Sequence, residues 1–136
     1  MATQAFSFDR FLRSNPLART REVESGLPAS ALRELVDGKA VIMADLVGIV
    51  GSRRTLDRRL ANETPLSIKE SDRLARFAEV LGLATQVFGD RAAAMEWLRA
   101  PQFDFDGTPP IELMRTSTGC DLVTNLLQRS RHGMLA

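Results

Sequence analysis

Residues 67–101, SIKESDRLARFAEVLGLATQVFGDRAAAMEWLRAP, decide the fold. Ser67 followed three positions later by Glu70 forms a capping box: the hydroxyl caps the first turn and the carboxylate reaches back to the serine's own backbone N–H. Leu74, Phe77, Ala78, Leu81, Ala84, Val87 and Phe88 then recur at steps of three and four, the pattern of a helix that buries one face. The spacing predicts a helix from the box to Phe88, bending near Gly82. Gly89 ends it, Asp90 caps a second helix over Arg91–Arg99 that buries Met95 and Trp97 or Leu98, and Pro101 closes that one.

Moving toward the C-terminus, QFDFDG (102–107) reads as a loop. Thr108-Pro109-Pro110 places a cap and a first-position proline before a short helix through Met114. Ser117 is positioned to cap a last helix with Leu122, Val123, Leu126 and Leu127 on its apolar side and Gly133 as its stop. Residues 101–136 carry three Arg against four Asp/Glu. That mild acidity, beside Phe103, Phe105, Leu126 and Leu127, suits a face for another protein better than one for nucleic acid.

Moving toward the N-terminus, Thr64-Pro65 ends a helix over Arg53–Asn62 that Ser52 caps. Before it, Ile42, Leu46, Val47, Ile49 and Val50 form an apolar-periodic run broken by Gly51. Pro28, Ala31, Leu32, Leu35 and Val36 mark an earlier helix that ends at Gly38. An apolar helix, a sharp glycine turn and an Arg-rich helix make residues 43–62 a helix-turn-helix. At about 100° per residue, Leu56 and Leu60 point inward, Arg54, Thr55, Arg58 and Asn62 outward, and Arg53 and Arg59 lie on the flanks. Outward Arg and Thr can meet base edges, and flanking Arg can neutralise phosphates. The alternative is a solvated helix face, because residues 27–65 hold six Lys/Arg against five Asp/Glu. One such helix seldom binds DNA tightly alone, so a homo-oligomer is expected. In residues 1–26, Phe6, Phe8, Phe11 and Leu12 predict one short amphipathic helix that Asn15-Pro16 stops.

No strand pattern is present, so the expected fold class is all-α. The expected division is an N-terminal extension (1–26), a helix-turn-helix DNA-binding domain (27–65) and a small helical C-terminal domain (66–136). The 136 residues suit one compact domain or two small ones. No apolar run approaches the roughly 20 residues of a membrane span, and no secretory leader is recognisable. The single Cys fits a reducing cytoplasm.

No enzyme is expected. There is no phosphate loop and no zinc-ligand spacing, so no cofactor or metal is expected. On one helix Cys120 and His132 would lie about 18 Å apart, too far for a thiol–imidazole pair. Asp104 and Asp106 read as solvated or capping carboxylates rather than a catalytic pair.

The ordered motifs resemble those of the Xre/MbcA/ParS antitoxins. They are Leu66 with Glu70–Leu74, Val87–Asp90, Ala94 with Trp97-Leu98 and Pro101, Gly107 with Pro110 and Leu113, Thr116 with Gly119, and Leu127 with Gly133. Ser52–Leu56 is similar to that family's recognition-helix start, and the likeness covers residues 27–133. The resemblance implies a RES-domain toxin that degrades NAD as partner, and a C-terminal toxin-binding domain that obstructs the toxin's NAD pocket. It also implies operator DNA as a second partner, through which the helix-turn-helix represses the operon, and a homo-oligomer within a hetero-oligomeric complex. Toxin contacts are carried onto Leu127, Arg131, Gly133 and Met134, and DNA contacts onto Arg53, Arg54, Thr55, Arg58 and Arg59. The competing expectation is a stand-alone helix-turn-helix regulator whose C-terminal domain only dimerises.

Overall fold

The computed structural model describes residues 6–133. The described residues are all-α: nine α-helices and one 3-10 turn, with no strand beyond two isolated β-bridges. The chain divides into two compact units, residues 1–75 and 76–136, and the division falls inside the longest helix.

The first unit begins with α1 (Phe8–Arg13), capped by Ser7. Phe6, Phe8 and Phe11 are buried and meet one another, with the Phe6 and Phe8 rings edge-on at 4.7 Å. Asn15-Pro16 does more than stop this helix. Asn15 caps a second one, α2 (Pro16–Ser25), by accepting from the Ala18 N–H at 2.8 Å, and Pro16 occupies its first turn. The sequence reading missed α2 because it buries no residue and so shows no apolar stripe.

Helix α3 (Ser30–Asp37) buries Ala31, Leu32 and Leu35 and ends at Gly38, as its pattern predicts. The next helix is much shorter than the apolar run. α4 covers only Met43–Leu46, and residues 47–51 form a turn closed by the Val47–Gly51 bridge. Gly48, at φ 84°, takes the left-handed conformation that ends the helix early, and Ile49 and Val50 are buried from the turn instead. Helix α5 (Arg53–Asn62) follows, capped by Ser52.

Helix α6 (Ile68–Phe88) runs through Gly82 as one element. Its capping box is present: Ser67 Oγ accepts from the Glu70 N–H at 3.1 Å, and Glu70 Oε1 accepts from the Ser67 N–H at 3.0 Å. In the second unit Asp90 caps α7 (Arg91–Arg99), which buries Ala94, Met95 and Leu98. Trp97 is only half-buried and its ring lies against Phe88, 5.3 Å between centroids. A 3-10 turn at Phe103–Phe105 leads to α8 (Pro110–Leu113) and α9 (Ser117–Arg131). Two predicted caps move by one residue. Pro109, not Thr108, precedes α8, and Thr108 bridges Gln102. Thr116, not Ser117, caps α9 by accepting from the Gly119 N–H at 2.9 Å.

Candidate DNA and partner surfaces

Glu70 ties α5 to α6 in the first unit. Its carboxylate closes the α6 capping box and also accepts from Arg59 Nε at 3.0 Å. Burial pushes the Glu70 carboxyl up, but the Ser67 backbone N–H and Arg59 together outweigh that, and it sits below the usual glutamate range. One residue on, Ser71 is fully buried, and its Oγ accepts from the Leu27 N–H at 2.8 Å. The Leu27 carbonyl in turn accepts from the Leu66 N–H at 2.8 Å. At the other end of α5, the Arg33 guanidinium pairs with Glu63 and donates to the Leu60 carbonyl at 3.1 Å. The hydrogen bond from Arg33 to the Glu63 carboxylate first, with the charge of Arg33, holds the exposed Glu63 carboxyl below its ordinary value.

These links sort the four arginines of α5. Arg59 is half-buried and bound to Glu70, so it is part of the scaffold rather than free for phosphate. Arg53 lies along its own helix and pairs loosely with Asp57 at 3.2 Å, both exposed. Arg54 and Arg58 are exposed and make no ion pair among the described residues. Thr55 is half-buried, and its Oγ1 accepts from the Ser52 hydroxyl at 2.9 Å. The outward face is therefore Arg54 and Arg58, with exposed Asn62 beyond them.

In the second unit, α9 separates core from surface. Gly119, Cys120, Val123, Leu126 and Leu127 are buried. Leu127, expected at a toxin contact, has no exposure and is a core residue; Leu126 is likewise inward. The helical period makes this unavoidable, since 123, 126 and 127 share one stripe. Arg131 and Gly133 are exposed, and Met134 lies outside the described residues. Cys120 is buried and donates its thiol to the Met114 carbonyl at 3.5 Å, a packing role.

Gly119 shows why the Thr-x-x-Gly spacing exists. A Cβ built there would stand 1.7 Å from the Leu113 carbonyl oxygen. Only glycine lets the end of α8 reach the first turn of α9. Beside this corner, the 102–108 loop and α9 enclose an open groove of about 900 Å³ lined by Asp104, Phe105, Asp106, Leu113, Leu122 and Arg129 among others. The tip of the loop is Phe103, 97% exposed.

Two family models match along the chain. Residues 18–79 match the Antitoxin Xre-like helix-turn-helix domain, and residues 83–133 match the Antitoxin Xre/MbcA/ParS C-terminal toxin-binding domain. The chain is also 31% identical to an Antitoxin Xre of Yersinia enterocolitica, over 93% of its own length and 99% of that protein. The chain belongs to the Xre antitoxin family. It is 36% identical to an Antitoxin Xre of Pseudomonas putida over 59% of its length, and there it spans half of the relative. It is 26% identical to a protein of a Sphingobium species named Prs ADP-ribosylating antitoxin, over 98% of the chain and 91% of that relative. In this Xre antitoxin the helix-turn-helix match contains α3, α4 and α5, and the toxin-binding match contains α7, α8, α9 and the groove. Among the described residues no helix is long and apolar enough to cross a membrane.

Sequence reasoning missed three features here: the double duty of Glu70, the buried Ser71 and the groove. The capping box accounted for half of Glu70's role, but its Arg59 partner and the burial of Ser71 left no local signal beyond the family motif Glu70–Leu74. The groove is made by residues from a loop and two helices, which no local periodicity reports.

Proposed function

We propose that this Xre antitoxin neutralises a RES-domain, NAD-degrading toxin by obstructing its active site, and that it represses its own operon as a homo-oligomer. The observation that carries this reading is the pairing, in one chain, of a helix-turn-helix whose outward Arg54 and Arg58 make no ion pair among the described residues with a match to a toxin-binding domain that contains an open groove. The proposed division of labour is DNA binding in residues 27–65 and toxin binding in residues 66–136. Arg54 and Arg58 read bases, assisted by Thr55. Arg53 meets phosphate once it swings off Asp57, and Arg59 only holds α5 in place. Arg131, Gly133 and Met134 approach the toxin's NAD pocket, where backbone carbonyls near the C-terminus oppose the cationic groups that hold NAD phosphate. The name of the Sphingobium relative contains ADP-ribosylating, chemistry in which NAD is the usual donor, and this supports an NAD-consuming partner.

The test is NAD turnover by the RES-domain protein of the adjacent reading frame, titrated with this chain. Consumption is expected to fall to background at the stoichiometry of the complex. Unchanged turnover at several-fold excess would overturn the reading.

A further inference from the structure

The loop between α7 and α8 is built to hold an aromatic ring in water. Gln102 fastens it from both sides. Its Nε2 donates to the Trp97 and Ala100 carbonyls at 3.1 and 3.2 Å, and its own carbonyl accepts from the Phe105 and Gly107 N–H groups at 3.1 and 2.9 Å. The Gln102–Thr108 bridge closes the loop. Phe103, at its tip, leaves 97% of its surface exposed. A phenylalanine held out in this way gains almost no burial in the free chain, so its apolar surface is left for a contact to cover. Behind it, Phe105, Leu113 and the 49%-exposed Leu122 give the groove an apolar floor. Asp104 and Asp106 on its loop wall make no ion pair among the described residues, and of the lining residues only Arg129 is cationic, so the lining keeps a net negative charge. The groove lies wholly inside the segment that matches the toxin-binding domain.

We propose that this groove, with Phe103 at its edge, is an anchoring site for a segment of the toxin. That segment places an apolar side chain against Phe105 and Leu122 and a Lys or Arg against Asp104 and Asp106. The inference rests on the antitoxin reading and adds to it a contact separate from the end of α9. The anchor supplies affinity, and the end of α9 with the residues after it supplies the blockade. A prefastened loop loses little freedom on binding, so its aromatic tip acts at full strength.

The experiment is calorimetric titration of the full-length chain into the same RES-domain protein, with NAD turnover measured in parallel. Phe103→Ser and Asp104→Lys are each expected to raise Kd by about 30-fold or more. At saturating concentration both variants still abolish turnover, and their melting curves match the unsubstituted chain. Unchanged Kd in both variants, with the unsubstituted chain binding normally, overturns the anchoring site and leaves the antitoxin reading intact. Loss of self-association in sedimentation, with toxin affinity unchanged, assigns the groove to a second copy and also overturns it. No binding by the unsubstituted chain removes the antitoxin reading, and the anchor with it.

Discussion

Helices α5 and α9 each leave one face exposed, but they are held in place by different forces. α5 buries one residue completely, Leu56, and is otherwise fixed by polar links: the Ser52 cap, Arg59 to Glu70, and Arg33 to Glu63 and the Leu60 carbonyl. α9 buries five residues and is set against α8 by the Gly119 contact. The position of α5 therefore depends on the ionisation of Glu70 and Glu63, whereas that of α9 depends on packing. A charged helix surface has few residues left for a core, so it borrows charges from its neighbours. An apolar-anchored helix can leave its outer face free to vary.

The sharpest way to break this contrast is at the corner of α9. Gly119→Ala is expected to cost about 4 kcal/mol, above the usual range for overpacking, because the Cβ meets a backbone carbonyl and not a flexible side chain. Urea denaturation checks it; a loss under about 1 kcal/mol would mean that the corner yields. Leu127→Ala comes next, at about 3 kcal/mol, a loss measured by the same titration. A neutral outcome would return Leu127 to the surface.

Glu70→Ala probes the polar side of the comparison, with an expected loss of about 2 kcal/mol from the cap and the Arg59 partner left behind. Because the folded-state value of Glu70 is lowered, its contribution is present above the ordinary glutamate value of about 4.3. It disappears as pH falls through the lower, folded value. Stability of the unsubstituted chain should therefore drop in that acid range, and Glu70→Gln should flatten the drop. An identical acid limb in both proteins would remove Glu70 from the account. The smallest effect on folding belongs to Arg54→Ala and Arg58→Ala, within about 0.5 kcal/mol. Each should nevertheless weaken operator binding by about 1–3 kcal/mol in a mobility-shift titration. Equal losses from Arg54→Ala and from Asp57→Ala, which frees Arg53, would contradict the sorting of the arginines.

Most helices were legible because caps and apolar stripes are local. Ser67 with Glu70, Asp90, and Ser52 all cap where the spacing places them. Failures fell where the cause was not a stripe. α2 has no buried face, and Gly48 ended α4 inside an apolar run that looked helical to Val50. At the candidate surfaces, azimuth found the exposed Arg54 and Arg58 but could not show that Arg59 is tied to a carboxylate 11 positions away. Leu127 received its toxin contact from the family resemblance, although its own apolar stripe is the one that α9 buries. Phe103 and Leu126 look alike as letters, and only the fold separates the ring in water from the leucine in the core.

The closed 102–108 loop has a consequence for variation. Its hydrogen bonds are made by the backbone and by Gln102, so Phe103 and Asp104 carry almost none of the fold, whereas Asp106 holds the left-handed turn at φ 55°. Substitutions at Phe103 and Asp104 are therefore cheap for folding. Variation there is uncoupled from the Gly119 corner and the α9 stripe, which the fold itself requires.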